Sequence, residues 1–381
     1  MYILGNTVTK RIIFFYLVCL CLSQVSCTED ESSEFDCDKI YMRPGHGETF
    51  YEANPTYYDP NDDSAWLPKA TPEEHGLNPE ILALGLAELE QSPAVFSFLL
   101  LRHDAVIVEQ YFNGSAVNHS NNIHSASKSM LSAFVGVALR DGYIHSLDQR
   151  VSDFLPEYFA ADDLDKKNIT LRHLLTMSAG LEWIEDYTEY EIEEHHDWIK
   201  AIIALPLINE PGIYFNYSTG LSHLMSAVLT RATNMSTCEF AHSYLFNFLE
   251  IDAEHWGRDP QGFYSGGYNL YMTPRELTAF CLLYLHKGVW NGASIIPEQW
   301  VEESCQSQMS VDEDYSYGYY WWLTSIRGYD VAIAWGYGGQ FGYVIPSLDM
   351  VVVLTANTRD DYYYELDANQ FIEDYIIGAL S

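Results

Sequence analysis

Positive charge is what this chain has least of. Its 381 residues include 19 lysines and arginines, eight of them lysine, against 54 aspartates and glutamates, for a formal net charge of −35. A surface so short of cations has little with which to hold nucleic-acid phosphates or an anionic membrane face, and neither is expected as a partner. Long hydrophobic runs are missing as well. The apolar stretch at 12–22 has eleven residues, too few to cross a bilayer comfortably. It follows Lys10-Arg11 and precedes Ser23, Ser26 and Cys27, so residues 1–27 read as an export signal. Cys27 at that point suggests a lipoprotein, attached to a membrane through a lipid on Cys27, with the acidic segment 28–63 as a tether. Gln24 stands where such sites prefer an aliphatic residue, and plain secretion is the alternative. Either way the protein is expected outside the cytoplasm: periplasmic, on the cell surface or secreted.

Cysteine is sparse: of seven, Cys19 and Cys21 fall in the signal, Cys27 and Cys37 in the arm, and Cys238, Cys281 and Cys305 in the body. Their spacing excludes a zinc-finger pattern and a dense disulfide framework. A single disulfide could form, and the spacing does not choose the pair. Cys281 lies in an apolar helical run and reads as core. His195-His196, set among carboxylates, lacks further ligands at helical or loop spacing and reads as solvated loop rather than a metal site. No internal repeat is present. Asn-x-Ser/Thr occurs at Asn113, Asn118, Asn168, Asn216 and Asn234. Asn216 falls inside a motif argued below to be catalytic, so that sequon is read as silent.

Apolar residues, by contrast, are plentiful at 48%, and a chain of this length can bury one large core. Segment 64–381 is expected to form it. A helix is expected over about 79–91, then two β-rich runs, 96–101 and 105–112, as an antiparallel hairpin about Arg102-His103-Asp104. Helices are expected at 170–177, 221–232, 240–249 and from Thr273-Pro274-Arg275-Glu276 to His286, with a tight turn at Ser265-Gly266-Gly267-Tyr268. Strands are expected at 317–324, 331–335, 341–345 and 350–355, and a closing helix at 369–380. The fold class is therefore α+β: one antiparallel sheet drawn from both chain ends, flanked by helices, with a helical block (about 140–290) inserted between them.

One stretch carries chemistry. His124-Ser125-Ala126-Ser127-Lys128-Ser129-Met130 holds the only Ser-x-x-Lys in the chain and runs straight into an apolar helix ending at Gly142. Positions i and i+3 share a helical face, so Lys128 reaches the Ser125 hydroxyl. The helix N-terminus adds free N–H groups and positive potential. Lys128 becomes a base for Ser125 if burial or a neighbouring cation lowers its pKa. Ser-x-x-Lys also recurs by chance, so the reading depends on its company. Pro211-Gly212-Ile213-Tyr214-Phe215-Asn216-Tyr217-Ser218-Thr219-Gly220 sets Tyr217 before a helix, where a tyrosine with a pKa lowered by a nearby lysine could relay a proton. Gly336-Tyr337-Gly338-Gly339-Gln340-Phe341-Gly342 lies between two strands, where glycine lets backbone approach a substrate.

In order and spacing these three segments resemble the serine β-lactamase superfamily, in its class C-like branch of DD-peptidases, esterases and 6-aminohexanoate-dimer hydrolases. The resemblance spans about residues 64–380 and includes Thr170-Leu171-Arg172-His173-Leu174-Leu175-Thr176-Met177-Ser178-Ala179-Gly180-Leu181. It implies a β-lactamase/DD-peptidase-like fold. It also implies Ser125 as acylated nucleophile, Lys128 as proton acceptor, Tyr217 as proton relay and the backbone N–H groups of Ser125 and Gln340 as an oxyanion hole. Thr219, Tyr337, Gly338 and Gly339 would border the substrate, and no metal or organic cofactor is needed. Two departures matter. Thr219 replaces an asparagine that helps hold a β-lactam side chain, and Tyr337 replaces the cation or histidine that helps bind a substrate carboxylate. Both point towards small neutral esters or amides, and the acidic, aromatic segment 182–198 would repel anions if it overlies the site. The expected activity is that of an exported serine hydrolase acting on a small ester or amide, with no protein partner. A DD-peptidase or weak β-lactamase is the alternative, and a surface binding protein that kept the fold without catalysis is the third.

Overall fold

The computed structural model describes Cys37, Tyr41–Met42 and residues 66–185, 187–358 and 366–381. The export signal with Cys27 and nearly all of the acidic arm lie outside the described residues.

Helix α1 (Pro79–Gln91) begins at Asn78, whose side chain accepts from the N–H groups of Glu80 and Ile81, with Pro79 at the first helical position. Strands β1 (Val95–Arg102) and β2 (Ala105–Tyr111) form the expected hairpin. Helix α2 (Ser127–Arg140) is buried on every side from Ser127 to Ala138, the mark of a helix through the centre of a large protein rather than along its surface. Then come the short α3 (Tyr187–Glu193), α4 (Thr219–Thr233) and α5 (Pro274–Leu285). Strands β3 (Met309–Ser310), β4 (Ser316–Tyr317), β5 (Trp322–Ile326), β6 (Tyr329–Gly336), β7 (Gln340–Ile345) and β8 (Met350–Ala356) follow.

The eight strands make one antiparallel sheet in the order β2-β1-β8-β7-β6-β5-β4-β3. The last strand of the chain pairs with the first, Val352 opposite Leu100 and Leu354 opposite Phe98, so both chain ends build the sheet as expected. On one face Phe98, Leu100, Val352 and Leu354 pack with Leu82 and Leu89 of α1 and with Phe371, Ile372 and Ile376 of the closing helix. On the other, α5 crosses β7 and β8. Covered on both faces, β8 reads Met-Val-Val-Val-Leu-Thr-Ala without alternation.

Two segments differ from expectation. The run 317–324 is two strands rather than one, because the N–H groups of Gly318, Tyr319 and Tyr320 bond to Trp321, Ser304 and Leu175 instead of a neighbouring strand. The acidic segment 182–198 is not simply solvated loop. His195 and His196 are exposed, but the segment contains α3 and buries Trp183, Ile192 and Trp198. The inserted block is mostly helical yet carries a small sheet, in which Tyr41–Met42, His255–Gly257, Leu270–Met272 and Asn121–Asn122 are neighbours. Cys37 and Cys238 are the disulfide pair, and Cys281 is buried with its thiol pushed up by burial.

Candidate active site

The backbone entering Ser125 is pinned before the helix begins. Asn121–Asn122 pairs with Tyr271–Met272, Ile123 N–H donates to Leu270 O at 2.9 Å, and Asn122 Oδ1 accepts from His124 N–H at 2.9 Å and Asn269 N–H at 3.1 Å. The turn His124–Ala126 then leads into α2, placing half-buried Ser125 at the start of the helix. His124 sits in the left-handed region at φ 45°, an uncommon state for a non-glycine residue. Its ring is neutral over the physiological range, because burial, aided by the Lys128 charge, lowers its pKa to about 4.

Lys128 lies one turn along and is 1% exposed. Its Nζ donates to Ser125 Oγ at 2.8 Å, Thr219 Oγ1 at 3.0 Å and Gly267 O at 3.2 Å. Burial lowers its pKa to about 8 against the opposing pull of Glu185 and Glu189, so about a tenth of it is unprotonated at pH 7 and half near pH 8. No neighbouring cation is involved. The desolvation of a lysine in the protein's centre is the cause.

Tyr217 is held by its surroundings. Asn216 N–H donates to Met177 O at 2.7 Å, and Asn216 Nδ2 donates to Trp183 O at 3.1 Å. The sequon at Asn216 thus spends its amide inside the fold. The Tyr217 ring stacks on Trp322 of β5 at 5.5 Å, meets Tyr317 of β4 edge-on, and has the Lys128 ammonium 5.0 Å from its centroid. The expectation of a lowered tyrosine pKa is reversed. Burial first, then the Glu185 carboxylate, raise it well above the ordinary value, with a hydrogen bond to Ser125 pulling the other way. Tyr217 is a neutral phenol that holds a proton to give.

Thr219 does not face solvent as a substrate-bordering residue would; it is 4% exposed and belongs to the Lys128 network. Its hydroxyl donates to Glu185 Oε1 and its N–H donates to Glu185 Oε2 at 3.0 Å. Ser218, the N-cap of α4, accepts from Leu221 N–H at 3.3 Å and fixes the turn between Tyr217 and Thr219. Tyr337, Gly338 and Gly339 form the turn between β6 and β7; Tyr337 is 63% exposed, its ring 5.7 Å from that of His124. Gln340 follows the turn as the first residue of β7, a strand in contact with the serine turn His124–Ala126. It is 0% exposed and pairs with Gly336 across the ladder, and its side chain bonds both N–H and C=O of Ala356. The backbone of Gly336 also meets the serine turn, and a Cβ there would come within 2.1 Å of Ile123 O.

Two residues in contact with this network were not legible in the sequence. Gly267, read only as part of a turn, supplies a carbonyl to Lys128, and a Cβ there would lie 2.7 Å from Nζ. The double glycine was its signal. Glu185 had none, being one carboxylate among many in the acidic segment. Among the described residues no group of three or more His, Cys, Asp or Glu is placed to hold a metal ion.

An antiparallel sheet from both chain ends, a central helix starting at a serine–lysine pair and a tyrosine before a neighbouring helix define a β-lactamase/penicillin-binding-protein-like fold. The sequence matches the Beta-lactamase family over residues 91–375, and the chain belongs to that family. It is 26% identical over 323 residues to the 6-aminohexanoate-dimer hydrolase of Paenarthrobacter ureafaciens, covering 76% of this chain and 80% of the relative. Among solved structures it is similar in fold to EstCE1, a hydrolase with promiscuous acyltransferase activity (TM-score 0.64, 15% identity, 77% and 99% of the two chains). It is similar also to a D-stereospecific amidohydrolase from Streptomyces sp. (TM-score 0.61, 16% identity, 78% and 97%).

Proposed function

We propose that the protein is an exported serine hydrolase that cleaves small ester or amide substrates through a Ser125 acyl-enzyme. The observation that carries this is the 2.8 Å contact between Ser125 Oγ and the buried Nζ of Lys128, whose pKa of about 8 makes it a base near neutral pH. Lys128 takes the hydroxyl proton as Ser125 attacks the substrate carbonyl. Tyr217, a phenol, gives its proton to the departing alkoxide or amine and is reprotonated from Lys128. Water, deprotonated by the same pair, then releases the acid and restores Ser125. The carbonyl oxygen needs donors while it carries negative charge, and loss of one such donor typically costs about 2.7–4 kcal/mol. One is the Ser125 N–H at the helix start. The second is assigned to the backbone N–H of Gln340, the first residue of β7, a strand that touches the serine turn His124–Ala126. The bordering surface for the substrate is then Tyr337 with Gly338 and Gly339.

Tyr337 brings no positive charge, and the carboxylates of Glu185 and Glu189 act on Lys128 and Tyr217. A neutral or cationic substrate fits these surroundings better than the carboxylate of a β-lactam or a D-Ala-D-Ala peptide. The Cys37–Cys238 disulfide suits an oxidising compartment, in keeping with export.

The test is reaction with a fluorophosphonate followed by peptide mapping. An adduct on Ser125 that is lost in Lys128→Ala is expected. Folded wild-type protein without an adduct would overturn the proposal and leave a binding role for the fold.

A further inference from the structure

The Lys128 ammonium has three partners, and only one of them has a proton to give. Gly267 O is a carbonyl. Thr219 has a hydroxyl, but its single proton is committed to Glu185. Glu185 in turn receives three donors, the N–H and O–H of Thr219 and Trp183 Nε1–H at 2.5 Å, and needs to donate to none of them. That is the pattern of an ionised carboxylate. When Lys128 loses its proton, two N–H bonds stay on Thr219 and Gly267, and the lone pair is left pointing at Ser125.

We propose that Glu185 is a positioning residue: through Thr219 it aims the Lys128 lone pair at Ser125. This rests on the serine hydrolase reading above. A Thr219 hydroxyl freed from Glu185 could donate to neutral Lys128 instead, occupying the lone pair and leaving Ser125 without a base. The acidic segment is built to keep this arrangement. One end is anchored on Thr219 by Glu185, and the other by Glu193, which accepts from Tyr268 O–H at 2.5 Å, next to Gly267. Both anchors are thus at, or beside, residues that hold Lys128. Trp183 packs on the start of α4 at Gly220, beside the Glu185 anchor.

Of the titratable groups near Lys128, His124 is neutral, Tyr217 is a neutral phenol, and Tyr268, next to Gly267, is tied to Glu193. Glu185 acts on Lys128 first among the carboxylates, with Glu189 behind it. Removing the Glu185 charge therefore lets Lys128 lose its proton at lower pH, while removing its acceptor oxygens lets Thr219 compete with Ser125.

The test is the second-order rate of fluorophosphonate labelling at Ser125, measured from pH 5 to 10 on the full chain. In Glu185→Gln, which keeps one carbonyl oxygen to accept from Thr219, the acid limb is expected to move down by about one pH unit, and in Glu185→Leu, which keeps no acceptor, the plateau rate is expected to fall. Thr219→Val should lower the plateau at least about tenfold, and Thr219→Ser, which keeps the hydroxyl, should restore it. Folding is checked by circular dichroism and the melting temperature. A Glu185→Gln protein that folds and labels with the wild-type limb, or a Glu185→Leu protein that folds and labels at the wild-type plateau, overturns the inference. If neither folds, a Thr219→Val plateau equal to wild type overturns it. Absence of any Ser125 adduct in the wild-type protein would instead remove the hydrolase reading itself.

Discussion

At the scale of single residues, the active centre is a problem of placing one amine. Lys128 is useful because it is buried, and burial, against the pull of Glu185 and Glu189, brings its pKa to about 8. The rate of ester hydrolysis should therefore rise with pH as Lys128 loses its proton, with half of the plateau reached near pH 8. A kcat/KM profile on p-nitrophenyl acetate that is flat from pH 6 to 9 would contradict this. Space around the amine is just as strict. A Cβ at Gly267 would sit 2.7 Å from Lys128 Nζ and from Ser222 Oγ, both of which would have to shift. Gly267→Ala is expected to cut kcat/KM about 10²-fold while shifting the melting temperature little, the signature of a misplaced catalytic group. Much of this centre was legible. Ser125, Lys128 and Tyr217 stand out because spacing along a helix and a turn before a helix are local properties. Glu185 and Gly267 were hidden because their contacts with the network run between segments far apart in sequence.

At the scale of elements, the sheet and its two covering layers do the positioning. Helix α1 and the closing helix bury one face, with Leu89 and Phe98 at the centre of that cluster. Leu89→Ala should cost about 2–5 kcal/mol in urea unfolding while leaving kcat/KM of the folded fraction unchanged, since that layer is separate from the serine network. The acidic segment around α3 is the element proposed to set the sign of the substrates the site accepts. A neutral p-nitrophenyl ester should be turned over at least about tenfold faster, by kcat/KM, than its carboxylate-bearing analogue, and added salt should narrow the gap. Equal rates would mean that the carboxylates do not face the substrate. Strand periodicity made β1, β2, β6, β7 and β8 readable. The break in the run 317–324 was not, because the backbone partners that interrupt it, Ser304 and Leu175, are distant in sequence.

At the scale of the whole molecule, two facts of chain geometry matter. The Cys37–Cys238 bridge spans 201 residues and ties the N-terminal arm to the inserted block. Closing so long a loop restricts the unfolded chain, and Cys238→Ser should lower stability by about 3–5 kcal/mol in denaturant titration, with Ser125 labelling of the folded protein retained. The sheet closes the other gap by pairing the first hairpin with the last strand. The amino-acid sequence by itself determined the fold class, through apolar runs of strand and helix period, and brought forward the serine, lysine and tyrosine proposed to carry the chemistry, through short-range spacing. The tertiary structure alone decided which cysteines pair, that Tyr217 keeps its proton, that Thr219 serves the lysine and that Glu185 stands behind it. Those depend on burial and on distances between segments far apart in the chain, which no local pattern records.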